Sequence, residues 1–284
     1  MYRMKALKSL YLFGISIGVT ACFDPPEYST TPEIDFESIY FLEAKSPGER
    51  DELVLTLTFR DGDGNLGLSA TDIEPPYHDV NYYLANDGDT MPLQKRTVYD
   101  QLPQFVDVPP NATGKLITVR TPDDPLYHNL IPSYIDDQSS CTYYTYTKVY
   151  VEEADKHIFD NTYNLFETLS YPNLPDVYVL LDTFYYKRNP NYANIDVEFW
   201  VDEGNGYKLF DWEKEFCTIS FNQRFTVLTD KDGALSGSLQ YSMATSGMKS
   251  IFSIKPLKLK VRIRDRELNN SNQIETPEFT LDKI

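Results

Sequence analysis

Asp61-Gly62-Asp63-Gly64-Asn65-Leu66-Gly67 places oxygen-bearing side chains at alternate positions of a glycine-rich loop. Such a loop can curl until Asp61, Asp63 and Asn65 converge on one hard cation. Asp72 falls eleven residues after Asp61, where a twelve-residue calcium loop carries its last acidic ligand. The fit is partial. A loop of that kind needs glycine at its sixth position, which here is Leu66, and Asp72 is shorter than the usual Glu. A helix–loop–helix site is therefore disfavoured and a calcium-binding β-hairpin stays open. The simpler reading, which carries more weight, is a Gly/Asp turn whose carboxylates cap their own backbone amides. Asp265 to Asn272 has similar oxygen density, but Arg264 and Arg266 beside it favour Asx-turn hydrogen bonds and a local Arg–Asp pair.

Other side chains could bind rather than react. Tyr144, Tyr146 and Tyr150 fall on one face if their segment is a strand, and Tyr185, Tyr186 and Tyr192 form a second group. Flat rings with a polar edge can stack on a glycan or anchor a protein partner, although cross-strand packing is the commoner use of such stripes. Catalytic patterns are poorly represented. His78, His128 and His157 are widely spaced and form no H-x-x-x-H zinc pair, and there is neither a G-x-S-x-G elbow nor a glycine-rich phosphate loop. A glycosidase-like carboxylate pair stays open only because acidic residues are abundant. The expectation is a non-enzymatic protein.

The remaining chemistry sits near the amino end. Arg3, Lys5 and Lys8 precede an apolar run from Leu10 to Val19, and Val19-Thr20-Ala21 leads directly to Cys22. A basic start, a short apolar run and small residues before a cleavage point are the build of a secretory signal, too short and wrongly flanked for a spanning helix. With cysteine at the cleavage position the segment resembles a bacterial lipoprotein signal, which implies cleavage before Cys22 and lipidation of its thiol. The acidic, Pro-rich Phe23-Asp24-Pro25-Pro26-Glu27 that follows reads as a solvated spacer. Its acidic residues resemble the export signals of surface-exposed Bacteroidetes lipoproteins. Assigning Cys22 to lipid leaves Cys141 and Cys217, which could pair in an oxidising compartment or remain two separate thiols.

Composition narrows the partners. The net charge is −17, and removing residues 1–21 takes away three basic and no acidic side chains, leaving −20 on 263 residues. So acidic a surface argues against nucleic acid and against charge-driven docking on anionic lipid, and it suits cation binding outside the cell. Hydrophobic content of 41% with 22 Tyr and 16 Phe is a folding composition.

The elements that must position these residues read as strands. Ile39–Leu42, Leu53–Phe59, Asp79–Leu84 and Gly114–Thr121 are short β-rich runs broken by Pro75-Pro76, Asn86-Asp87-Gly88-Asp89 and Pro109-Pro110-Asn111. Thr142–Val151, Val177–Leu181, Ile195–Val201, Ile219–Leu228, Ser238–Met243, Leu257–Ile263 and Glu278–Leu281 continue the pattern, while Glu152–Thr168 could hold a short helix or an excursion. The expectation is an all-β protein of two immunoglobulin-like antiparallel β-sandwich domains after a signal peptide and tether. Its boundaries are 1–21 for the signal, 22–35 for the tether, 36–135 for the first sandwich and 136–284 for the second, with an irregular insertion near 152–176.

A weak internal repeat supports related units: Leu57-Thr58-Phe59-Arg60-Asp61 then Asn65 matches Val261-Arg262-Ile263-Arg264-Asp265 then Asn269. Together, Phe59-Arg60-Asp61-Gly62-Asp63-Gly64-Asn65-Leu66-Gly67-Leu68 and the later Asp265-Arg266, Asn269, Ser271-Asn272 and Thr276-Pro277 resemble a group of Bacteroidetes outer-membrane lipoproteins with immunoglobulin-like domains and no assigned activity. The resemblance implies fold and location more than function. The leading expectation is a surface-exposed accessory subunit binding an outer-membrane β-barrel assembly, secretion or transport complex. A glycan-binding lipoprotein of a nutrient-capture system is the alternative, and a hydrolase with an unidentified carboxylate pair comes third.

Overall fold

The structure, a computed structural model, describes residues 27–46, 48–85, 90–95, 103–105, 115–116, 118, 144–151, 166–170, 177–216, 220–229, 231–252 and 254–284. Its strands are β1 (Glu33–Leu42), β2 (Asp51–Asp61), β3 (Val80–Ala85), β4 (Thr90–Lys95), β5 (Pro103–Phe105), β6 (Lys115–Leu116), β7 (Tyr144–Val151), β8 (Phe166–Leu169), β9 (Val177–Arg188), β10 (Ile195–Asp202), β11 (Tyr207–Phe210), β12 (Leu235–Thr245), β13 (Leu257–Ile263) and β14 (Ile274–Glu275). Among the described residues two one-turn helices, α1 (Trp212–Phe216) and α2 (Met248–Phe252), are interspersed. The protein is mostly antiparallel β-structure with few helices.

Two sheets share one hydrophobic core. The first has the order β1-β2-β12 and the second β11-β10-β13-β14. Alternation makes this possible, broken in β2 only by the buried Val54, because successive side chains of a strand point to opposite faces. In β2, Leu53, Leu55, Leu57 and Phe59 are buried; Ile195, Val197, Phe199 and Val201 do the same in β10, and Leu257, Leu259, Val261 and Ile263 in β13. These belong to a single cluster with Leu239, Tyr241 and Met243 of β12. Burying each such aliphatic or Phe side chain contributes roughly 1.5–3 kcal/mol. Rings close one end: Phe199 lies 5.5 Å from Trp212 of α1 and 5.8 Å from Phe252 of α2, centroid to centroid.

The intervening strands pair among themselves, in the order β6-β3-β4-β5-β7-β9-β8. Because β3 also pairs with β9, the path β3-β4-β5-β7-β9 returns on itself as a closed ring, antiparallel throughout except for β5 with β7. The strand β9 then runs through Asn189 toward β10 of the core.

Several expectations need correction against this pairing. β2 and β12 are hydrogen-bonded over eleven residue pairs, from Asp51↔Thr245 to Asp61↔Leu235. The division expected between residues 135 and 136 therefore cuts through one sheet, and the shared core is assembled from both ends of the chain. The tether expected through residue 35 is shorter, since β1 already starts at Glu33. Within Ile219–Leu228 the described residues 220–228 form no strand: Phe221 and Phe225 enter the core, but Gln223 between them, which a strand would place on the same face, is exposed. Only Gln223 forms a bridge, to Ile195. Glu278–Leu281 is reduced to the bridge Leu257↔Phe279 followed by a turn. Phe166–Leu169, inside the expected irregular insertion, is strand β8 paired with β9. Residues 1–26, 152–165 and 171–176, and most of Gly114–Thr121, lie outside the described residues, and so does the whole of the signal segment.

Candidate functional site

The glycine-rich loop begins where β2 ends, and Asp61 is fully buried. Asp61 Oδ2 accepts the Asn65 N–H at 3.0 Å, and Asp63 Oδ1 accepts the same N–H at 3.3 Å. The Asn65 side-chain amide donates to Asp63 Oδ2 at 3.0 Å. Both carboxylates are thus gathered on one residue. Gly64 and Gly67 have φ of 73° and 96°, which L side chains rarely adopt. A Cβ at Gly64 would stand 2.6 Å from the Gly233 carbonyl oxygen, and one at Gly67 would strike the Thr226 carbonyl. Other segments press on this loop: Gly233 N–H donates to Asp63 O (3.0 Å), Leu68 N–H to Phe225 O (3.0 Å) and Gly62 N–H to Ser29 O (2.8 Å).

The repeat seen in the sequence becomes a second loop lying against the first. Asp265, also buried, accepts the Glu267 and Asn269 N–H groups on Oδ1, each at 2.8 Å, and the Asn269 side-chain amide on Oδ2 at 2.8 Å. A bridge joins Leu66 to Asp265, and the Arg266 N–H and Nε–H both donate to Asn65 O, at 3.2 and 3.0 Å. The Tyr77 hydroxyl donates to the Arg266 carbonyl. The two loops differ in one respect. Both oxygens of Asp265 are occupied, whereas Asp61 Oδ1 and Asn65 Oδ1 are buried without a hydrogen-bond partner. Burial, then the charge and close approach of Asp63, push the Asp61 carboxyl up to about 6, with Asp265 adding to the effect.

Asp72, expected as a fourth ligand, is placed elsewhere. Its Oδ2 accepts the Ser69 N–H at 2.7 Å in a local turn. Among the described residues no three His, Cys, Asp or Glu side chains are grouped to hold a metal ion. His78 is buried and structural, with Nε2 2.7 Å from Asn81 Oδ1 and its carbonyl accepting from Asn189 at 2.7 Å.

A cavity of about 520 Å³ lies where β9 hands over to the core, lined by Asp79, Arg188, Tyr192, Asp196, Arg224 and Arg264 among others. Two of its guanidiniums are spent on the scaffold. Arg224 donates to Tyr192 O (2.7 Å), Asp72 O (2.7 Å), Ser69 O (3.3 Å) and Tyr77 O, with its guanidinium 4.1 Å from the centre of the Tyr192 ring. Arg264 donates to Pro190 O at 2.8 Å and Asn270 Oδ1 at 3.0 Å, and it stands 3.4 Å from Asp196. Burial raises the Asp196 carboxyl even though Arg264 and Arg262 pull it down. Arg188, 3.7 Å from Asp79, keeps a buried Nε without a hydrogen-bond partner.

The tyrosine groups are brought together by strand pairing. Tyr144 lies directly opposite Tyr185, Tyr146 opposite Thr183, and Tyr186 opposite Tyr82. Tyr185 and Tyr186 are half-buried. Cys22, Cys141, Cys217, His128 and His157 lie outside the described residues. Sequence reasoning set aside Asp265 and Asn269 as an ordinary turn although the repeat marked them. It missed Arg224, whose partners are main-chain carbonyls and leave no pattern. No family model, no curated protein and no solved structure matches the chain.

Proposed function

We propose that this chain is a cell-envelope lipoprotein, held at the outer membrane through Cys22, whose immunoglobulin-like body binds a protein partner as a non-enzymatic accessory subunit. The observation that carries the reading is Val19-Thr20-Ala21-Cys22 standing eleven positions before the first strand of the core, at Glu33. Fully extended, such a tether reaches on the order of 35–40 Å. A body so leashed works within one domain diameter of the lipid surface, where its partners are membrane-embedded assemblies rather than diffusing solutes. Anchoring does not depend on a spanning helix, and among the described residues no helix is long and apolar enough to cross a membrane. Three acyl chains on one cysteine, as in the lipoproteins it resembles, would hold firmly, since each buried CH₂ contributes about 0.8 kcal/mol. Affinity capture of the tagged chain from detergent-solubilised native membranes tests the partner. Recovery of a stoichiometric outer-membrane protein is expected; consistent recovery of the chain alone would count against it.

A second reading is favoured by the cavity between β9 and β10. Arginine, carboxylate and tyrosine side chains in a space of about 520 Å³ suit a short saccharide, which needs donors, acceptors and a flat ring at once. Binding on a glycan array that is lost in Arg188→Ala would favour this reading, and silence across the array would remove it.

A further inference from the structure

The lipoprotein reading makes no use of the two stacked Asp loops. We propose that they enclose a binding site for one hard divalent cation of the calcium class, with Asp61, Asp63 and Asn65 as its side-chain ligands. Asp61 is sealed from solvent, yet its Oδ1 has no hydrogen-bond donor, and the side-chain oxygen of Asn65, whose N–H donates to Asp61 Oδ2, is equally buried and unclaimed. The Asp63 carboxylate converges on the same Asn65. Among the described residues no lysine or arginine forms an ion pair with Asp61, Asp63 or Asp265. An ionised carboxylate withdrawn from water requires a counter-charge, and the described residues supply none here. The donors are all oxygen, which selects hard cations; the described part of the site offers neither thiolate nor imidazole for zinc. Two carboxylates and an amide oxygen in a loop suit the irregular coordination of calcium better than the strict octahedron of magnesium.

The ligand set differs from that of a sequential calcium loop. Asp72 is engaged with Ser69, and the negative charge of Asp265 arrives from the far end of the chain through the Leu66–Asp265 bridge. A cation here would pin β2 to β13, one strand from each sheet. Arg266 leaves the carboxylates unclaimed because it is directed to the Asn65 carbonyl.

The test uses the full chain, stripped with chelator and titrated with calcium chloride by calorimetry, with thermal melting in parallel. One calcium per chain is expected, with Kd on the order of 1 mM or tighter, the range of extracellular calcium modules. The melting temperature should rise with free calcium by mass action. Asp63→Asn should weaken binding at least tenfold and Asp72→Asn should leave it unchanged. Asp63 is only half-buried, so its variant keeps the test alive if Asp61→Asn does not fold. Absence of binding by a folded chain, equal response to magnesium, or binding unaffected by Asp63→Asn would overturn the proposal.

Discussion

Tyr241 shows how a single polar atom is accommodated in the core. The ring packs in the shared cluster while its hydroxyl donates to the Phe221 carbonyl at 2.6 Å, in the stretch that sequence periodicity misassigned as a strand. Burial raises its pKa above the ordinary 10.0, so the folded chain holds the phenolic proton to higher pH than the unfolded chain does. Stability from this group is therefore complete below pH 10 and declines as pH rises through and beyond it. Tyr207, pushed up to about 12 by burial and its bond to Glu278, acts in the same sense. Tyr241→Phe should cost about 1–2 kcal/mol near neutrality by stranding a buried carbonyl. It should also reduce the alkaline loss. Urea unfolding at neutral pH and above pH 10 checks both; an unchanged alkaline slope would put the Tyr241 proton in solvent.

At the scale of elements, legibility followed local pattern. β2, β10 and β13 were readable because alternation is written into Leu55-Thr56-Leu57-Thr58-Phe59, Ile195–Val201 and Leu257–Ile263. The 220–229 segment was not, because apart from the Gln223–Ile195 bridge its hydrogen bonds go to side chains and loops. Asn194 acts as a strand surrogate, donating to Phe225 O at 3.1 Å and accepting Phe225 N–H at 2.8 Å. Asn272 does the same for Ile34, at 2.8 Å in both directions. Side chains of Ser271 and Thr276 accept the Ile263 and Leu259 N–H groups, which gives the Ser-Asn…Thr-Pro motif a structural use along β13. Of the candidate site, the first Asp loop was legible and its repeat was noticed. Their stacking was not, since nothing local relates residues two hundred positions apart. The β2–β12 pairing was hidden for the same reason. A fragment of residues 27–135 should therefore fail to fold, lacking β10, β12 and β13; a cooperative melt from that fragment would contradict the shared core.

For the molecule as a whole, the first strand of the shared core begins eleven positions after Cys22, and a net charge of −17 works against charge-driven docking on anionic lipid. In the proposed reading the tether would set the distance from the lipid, and the core built from both chain ends would form the body it holds. Everything in the functional reading assumes that Cys22 becomes the mature amino terminus. Mass spectrometry of the amino-terminal peptide from native membranes measures this directly. The account predicts a peptide that starts at Cys22 and carries acyl chains; a chain retaining residues 1–21, or one cut elsewhere with a free Cys22 thiol, would contradict it.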